Sequence, residues 1–295
     1  MSKIGELILY PLASFIYKRK LHINSELENV NADSAYWQWQ KNSSDKLFKL
    51  YKGLDIKGKN VLDIGCGIGG RTCYLADQGP KKIVGIDINK DEIETAIELA
   101  KQNGYGDKVE FINVDGENSS FGMGSFDTIV LVDCMEHVES PLDLMSNSYE
   151  KLKAGGSFFF GTIGWYHHQA THMRRIVPVP FLSVFFSDKT ILNVARKILS
   201  SSYYKPSHFD SDPPVKRWQG VMDLKDRPGE YLNKNTISSF RKLFQSSKFE
   251  KTTIIVHGFG ASKKFLKPFN ILAKAPYLNE IWHSYIVGVG VRKNK

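Results

Sequence analysis

The stretch Val61-Leu62-Asp63-Ile64-Gly65-Cys66-Gly67-Ile68-Gly69-Gly70, followed by Gly85-Ile86-Asp87, decides the fold. An apolar run of strand length enters a glycine-rich turn able to open a helix, and a second apolar run ends on a carboxylate. That order predicts the first two strands of a doubly wound α/β sheet, with a nucleoside-bearing ligand across their carboxyl ends. The turn glycines let backbone N–H groups approach such a ligand where a side chain would stand in the way.

Outward from this stretch, strand and helix patterns alternate. Strands are predicted at 61–64, 83–86, 109–113, 128–132 and 157–161, with helices at 70–77, 91–102 and 142–152. Ile93, Ile97 and Ala100 are assigned to the inner face of helix 91–102, and Ala154-Gly155-Gly156 to the stop after helix 142–152. Upstream, Asn42-Ser43-Ser44 is expected to cap a helix carrying Leu47, Leu50 and Tyr51, after the aromatic cluster Tyr36-Trp37-Gln38-Trp39. The rhythm breaks over residues 163–230, rich in Tyr, His, Pro and Phe, where a connection ordinarily needs only a handful of residues. It resumes with a helix at 236–245 and strands at 252–256 and 285–291. An insertion at the carboxyl end of a strand is where such sheets hold substrates. The expected organisation is an N-terminal cap or interfacial helix over 1–43, a cofactor-binding core over 44–162, an acceptor-binding insertion over 163–230 and the C-terminal part of the core sheet over 231–295.

Bulk properties narrow the function classes. The composition, 42% hydrophobic and 24% charged, is that of a soluble globular protein, and 295 residues suit one elaborated domain. Cys66, Cys73 and Cys134 form neither a disulfide framework nor a zinc spacing, so a reducing cytoplasm is expected. Residues 61–162 carry 8 Lys and Arg against 17 Asp and Glu, whereas 231–295 carry 12 against 2. The basic C-terminal part suits an anionic acceptor, an acidic membrane surface or a nucleic acid, or is simply a solvated lysine-rich face. No apolar run approaches the roughly 20 residues of a bilayer span. Ile4, Leu7, Ile8, Leu12, Phe15 and Ile16 recur at helical spacing before Lys18-Arg19-Lys20, and the run lacks the cleavage site of a signal peptide. This segment either lies in a membrane interface, leaving the protein membrane-peripheral, or caps its own core.

With these elements in place, the chain resembles the class I S-adenosylmethionine-dependent methyltransferases, through specific motifs over roughly 45–162 and through layout alone over 231–295. The resemblance implies a Rossmann-like seven-stranded sheet, mostly parallel, with the last strand antiparallel and an insertion capping the acceptor side. Gly65-x-Gly67-x-x-Gly70 also satisfies a dinucleotide pattern. Asp63 favours S-adenosylmethionine, because the resemblance gives this position an acidic residue that receives the cofactor's methionine ammonium, and a carboxylate on a buried strand needs such a partner. The turn residues Gly65, Cys66 and Gly67 would cradle the cofactor. Asp87, at the end of the second strand with Ile88 beside it, can accept both ribose hydroxyls. By resemblance Asp115, with Gly116, meets the adenine amino group, and Asp133 faces the methyl-transfer region.

Methyl transfer from a sulfonium is an in-line displacement, and a hydroxyl acceptor also needs a proton removed. The candidates for that work are Glu136 and His137 after the fourth strand and His167, His168 and His172 in the insertion, with a purely structural role for His137 as the alternative. Asp133-Cys134-Met135-Glu136-His137 resembles, with one change, a Glu-x-x-Glu-His pattern of ubiquinone-biosynthesis O-methyltransferases that is linked to a divalent metal. Asp stands here at the first position, so a metal remains an open alternative and no residue is assigned as a ligand. Those enzymes act on lipid-tailed substrates through a membrane-contacting insertion, and the apolar run 176–186 occupies that place. Nucleic acid is disfavoured, since Asp133-Cys134-Met135-Glu136 stands where the amino-group variants resemble Asn/Asp-Pro-Pro-aromatic. The expectation is O-methylation of a small, glycan-type or lipid-linked metabolite. The alternatives are N- or C-methylation of a metabolite or RNA, or a catalytically inactive cofactor-binding partner protein.

Overall fold

The computed structural model describes residues 2–21, 32–114, 125–205, 232–258 and 270–294. Their core is a seven-stranded sheet: β1 (Asn60–Ile64), β2 (Lys82–Asp87), β3 (Glu110–Asn113), β4 (Phe126–Val132), β5 (Leu152–Thr162), β6 (Glu250–His257) and β7 (Tyr285–Val291), in spatial order 3-2-1-4-5-7-6. All pairings are parallel except those of β7 with β5 and β6. The order reverses between β1 and β4, which opens a crevice at their carboxyl ends.

Successive side chains of a strand point to opposite faces, and the two cores follow that period. Val61 and Ile83 pack with α2 (Ala32–Phe48), α3 (Gly70–Ala76) and α4 (Lys90–Gln102) through Trp37, Leu75, Ile93 and Ala96. Leu62 and Ile129 face the other way, against Met145 of α5 (Pro141–Lys151) and Ile237, Phe240 and Phe244 of α8 (Ile237–Ser246). A third cluster lies outside the sheet. In it α1 (Ser2–Leu21) and α7 (Asp188–Leu199) enclose Leu9, Ala13, Met173, Ile191, Val194 and Ile198. Between β5 and α7 the insertion holds a short α6 (Leu182–Phe185).

The structure corrects three local expectations. Asn42-Ser43-Ser44 caps nothing, because α2 runs straight through it and the Ser43 and Ser44 hydroxyls bond back to the Gln40 carbonyl within the helix. Ile97 is half exposed, and the inner face of α4 is Ile93, Ala96, Leu99 and Ala100. Ala154-Gly155-Gly156 is part of β5: the register jumps from Phe126 opposite Leu152 to Thr128 opposite Ser157, so the glycines form a bulge, with Gly155 at φ +73°.

Candidate active site

The turn after β1 is built on backbone bonds that need glycine. Gly65, Gly67 and Gly69 have φ of +72°, +52° and +80°, and the Gly65 and Cys66 N–H groups donate to the Ile86 carbonyl of the neighbouring strand. A Cβ on Gly65 would stand 2.4 Å from Cys134 Sγ, so the turn after β1 and the segment after β4 touch here.

Two carboxylates flank this turn. Asp63, on β1, is buried, and Thr72 Oγ1 of α3 donates to its Oδ2 at 2.7 Å. Burial outweighs that bond and pushes the Asp63 carboxyl up to about 6. A cation arriving at this carboxylate would relieve the desolvation cost, which is the fit expected of an ammonium-bearing cofactor. Asp87, at the end of β2, accepts from Gly67 N–H and Asn89 N–H, both at 2.9 Å, and so ties the two turns together. It is not the cap of α4, since Asn89 accepts the Asp91 and Glu92 N–H groups instead. Ile88, beside it, is exposed. Asp115 and Gly116 lie outside the described residues.

The segment after β4 supplies the other side. Asp133 sits at φ +51°, where its Oδ2 accepts from Arg71 Nη2 and its Oδ1 from Tyr285 Oη, both at 2.8 Å. Glu136 follows in a 3-10 turn, its side chain 12% exposed, accepting from Thr162 Oγ1 at 2.6 Å. Burial, reinforced by the charge of Asp133, raises its carboxyl to about 7 despite that bond. His172, from the insertion, places Nε2 3.8 Å from Glu136 Oε1, and its ring lies 5.1 Å from that of His137. One donor atom each from Glu136, His137 and His172 lies within 4.8 Å of the others. A carboxylate with two imidazoles can exchange a proton or hold a divalent ion.

His167 and His168 lie elsewhere. Their rings lie tilted at 52° with centroids 4.0 Å apart, and the ring of His283 of the C-terminal part is 5.0 Å from that of His167. Burial, then the neighbouring His168, His283 and Arg174, push His167 down to about 2, so the ring stays neutral at any ordinary pH. Sequence reasoning missed Arg71, Tyr285 and their hold on Asp133. Arg71 has a local signal, lying one residue past the glycine turn, whereas Tyr285 has none, being 152 positions from its partner.

Residues 62–160, which run from β1 into β5 and include both carboxylates and the glycine turn, match the family described as a methyltransferase domain. Residues 62–160 are a methyltransferase domain of the class I S-adenosylmethionine-dependent kind. This domain is 37% identical over 90 residues to the norajmaline N-methyltransferase of Rauvolfia serpentina, covering 30% of this chain and 31% of that protein. It is 32% identical over 132 residues to the ubiquinone biosynthesis O-methyltransferase of Neisseria meningitidis serogroup C, covering 44% of this chain and 54% of the other. The chain thus spans about a third and about half of these relatives' lengths. Over 91% of this chain and 59% of the other, the fold is similar to that of the Haemonchus contortus phosphoethanolamine N-methyltransferase 2, at a TM-score of 0.53 and 14% identity.

Proposed function

We propose that this methyltransferase domain acts on a hydroxyl of a small, glycan-type or lipid-linked metabolite. The observation that carries the reading is the meeting of Glu136, His137 and His172 next to Cys134, which touches the cofactor turn. Bound S-adenosylmethionine supplies an electrophilic methyl group. Asp63 holds its ammonium end, Asp87 its ribose, and the glycine turn brings backbone N–H groups close. The Glu136 and His172 pair takes the hydroxyl proton as the oxygen–carbon bond forms and the carbon–sulfur bond breaks. A carboxyl near 7 is matched to that task at neutral pH, and the described part of the insertion, which brings His172 to Glu136, excludes water over the acceptor. An amine acceptor is the second reading, favoured by the likeness to the norajmaline N-methyltransferase. The cysteines without disulfides and the exposed apolar face of α1 support a cytoplasmic protein at a membrane surface.

The test is incubation with methyl-labelled cofactor and fractionated extract of the source cell. The expected result is label in a lipid, glycan or small-molecule fraction as a methyl ether that Glu136→Gln no longer produces. Label in an amine or in RNA would overturn the hydroxyl assignment.

A further inference from the structure

We infer that α1 is an in-plane docking helix for a bilayer bearing anionic lipids. The helix has two apolar faces. Leu9, Ala13 and Tyr17 are buried against the insertion. The opposite stripe of Ile4, Leu7, Ile8, Leu12 and Phe15 is 67, 76, 59, 44 and 58% exposed. The spacing of these residues puts them side by side along one face, so they are a continuous surface and not the scattered apolar residues of an ordinary exterior.

The helix is fixed with this stripe outward. Glu6 accepts from Asn193 Nδ2 at 2.7 Å and from Lys197 Nζ at 2.8 Å, both on α7. Ser14 and Tyr203 share a hydrogen bond at 2.9 Å, and a Cβ on Gly5 would lie 3.0 Å from the Thr190 methyl. Rotation about the helix axis to bury the stripe would break all of these. At about 1.5 Å per residue the 20 residues reach roughly 30 Å. No described helix is long and apolar enough to cross a membrane, so an in-plane attitude is the one open to it.

Charge selects the occupant. The sequence of α1 holds Lys3, Lys18, Arg19 and Lys20 against Glu6 alone, and Glu6 is already engaged by Lys197. Lys3, Lys18 and Arg19 are exposed, and the Arg19 guanidinium rests over the Phe15 ring at 5.4 Å, so cation and apolar stripe meet at one end. On neighbouring α7, Lys189 is exposed as well. An apolar strip edged by cations matches the boundary between acyl chains and anionic headgroups. A second copy of this chain would bring like charges together along the same strip. The inference rests on the membrane-peripheral part of the proposed function and not on methyl transfer. Vesicle binding without cofactor therefore tests it whatever the fate of the catalytic reading.

The test is co-sedimentation of the full chain with vesicles of phosphatidylcholine alone and of phosphatidylcholine with phosphatidylglycerol, alongside sedimentation velocity of the protein by itself. Two variants accompany it, Leu7→Ser with Ile8→Ser, and Lys3→Glu with Arg19→Glu, which spare Lys18 because its Nζ lies 4.4 Å from the centroid of the Tyr203 ring. All four side chains are exposed, so circular dichroism and melting should match the wild type. The wild type should pellet with the phosphatidylglycerol vesicles, and each double variant should lose at least about tenfold in partitioning. Negligible pelleting of the wild type, or equal pelleting of wild type and the Leu7/Ile8 variant, would overturn the inference. A wild-type dimer that the same variant converts to monomer, without vesicle binding, would assign the stripe to a second copy.

Discussion

Tyr285 Oη, on the antiparallel strand β7, donates to Asp133 Oδ1 at 2.8 Å, while Arg71 Nη2 holds the other oxygen at the same distance. Tyr51 Oη, 3.3 Å from Tyr285 Oη, extends the contact. Residues from α3, the segment after β4 and β7 are thereby locked together, and Asp133 is held in a left-handed conformation that a non-glycine residue adopts only with such support.

Tyr285→Phe should accordingly cost about 1 kcal/mol, below the roughly 1.5–3 kcal/mol of a buried bond to a charged group because Asp133 is partly exposed. Urea denaturation of Tyr285→Phe, Arg71→Ala and the double variant measures it. The expected coupling energy is at least about 0.5 kcal/mol, and additive effects would dissolve the network.

Asp63 carries a pH dependence of definite sign. Its carboxyl rises from an ordinary 3.8 to about 6 in the folded protein, so folding favours the protonated form. Without cofactor, the penalty is absent below about 4, grows as pH rises toward 6 and is complete above it, with an upper bound of about 3 kcal/mol. Asp63→Asn should therefore raise the melting temperature of the cofactor-free protein at pH 7.5 while weakening S-adenosylmethionine at least about tenfold. Affinity in the wild type should fall as pH drops below 6, and that slope should vanish in the variant. Calorimetric titration from pH 5 to 8 reads both.

At the acceptor side, Glu136→Gln and His172→Ala should each lower kcat by about 10²–10⁴ while cofactor affinity stays within about twofold. A rate unchanged after washing with a chelator is the expected companion result. Loss of activity restored by a single divalent ion would give the three donors to a metal instead.

Gly65→Ala should abolish cofactor binding. It adds a methyl group 2.4 Å from Cys134 Sγ at a φ of +72°, and Cys134→Ala removes the Sγ contact but leaves that residue's Cβ at 2.8 Å and the dihedral strain in place. Cofactor titration of the single and double variants should find neither restored to wild-type affinity.

What the sequence revealed and what it hid divide along a physical line. The glycine turn flanked by Asp63 and Asp87 was legible because strand, turn and carboxylate are neighbours in the chain, whereas the role expected of Asp63 came from the family resemblance. The succession of strands followed from the same rhythm, down to β7 at Tyr285–Val291, while the antiparallel last strand was implied by the family resemblance. His172 stood among several histidines of the insertion, and only the fold selects it over His167, by seating one against Glu136 and the other against His283. Ile97 looked inward because helical spacing from Ile93 cannot say where the buried face ends. On α1 the apolar stripe was visible, but the buried face is Leu9, Ala13 and Tyr17, and helical periodicity alone could not tell which of two apolar faces meets the core.

Direct binding of the methyl donor bears most heavily on the whole account. Calorimetric titration of the full chain at pH 7.5 should show S-adenosylmethionine binding at one site, with Asp87→Ala weakening it at least about tenfold through loss of the ribose contacts. Binding of a nicotinamide dinucleotide with none of S-adenosylmethionine would contradict it.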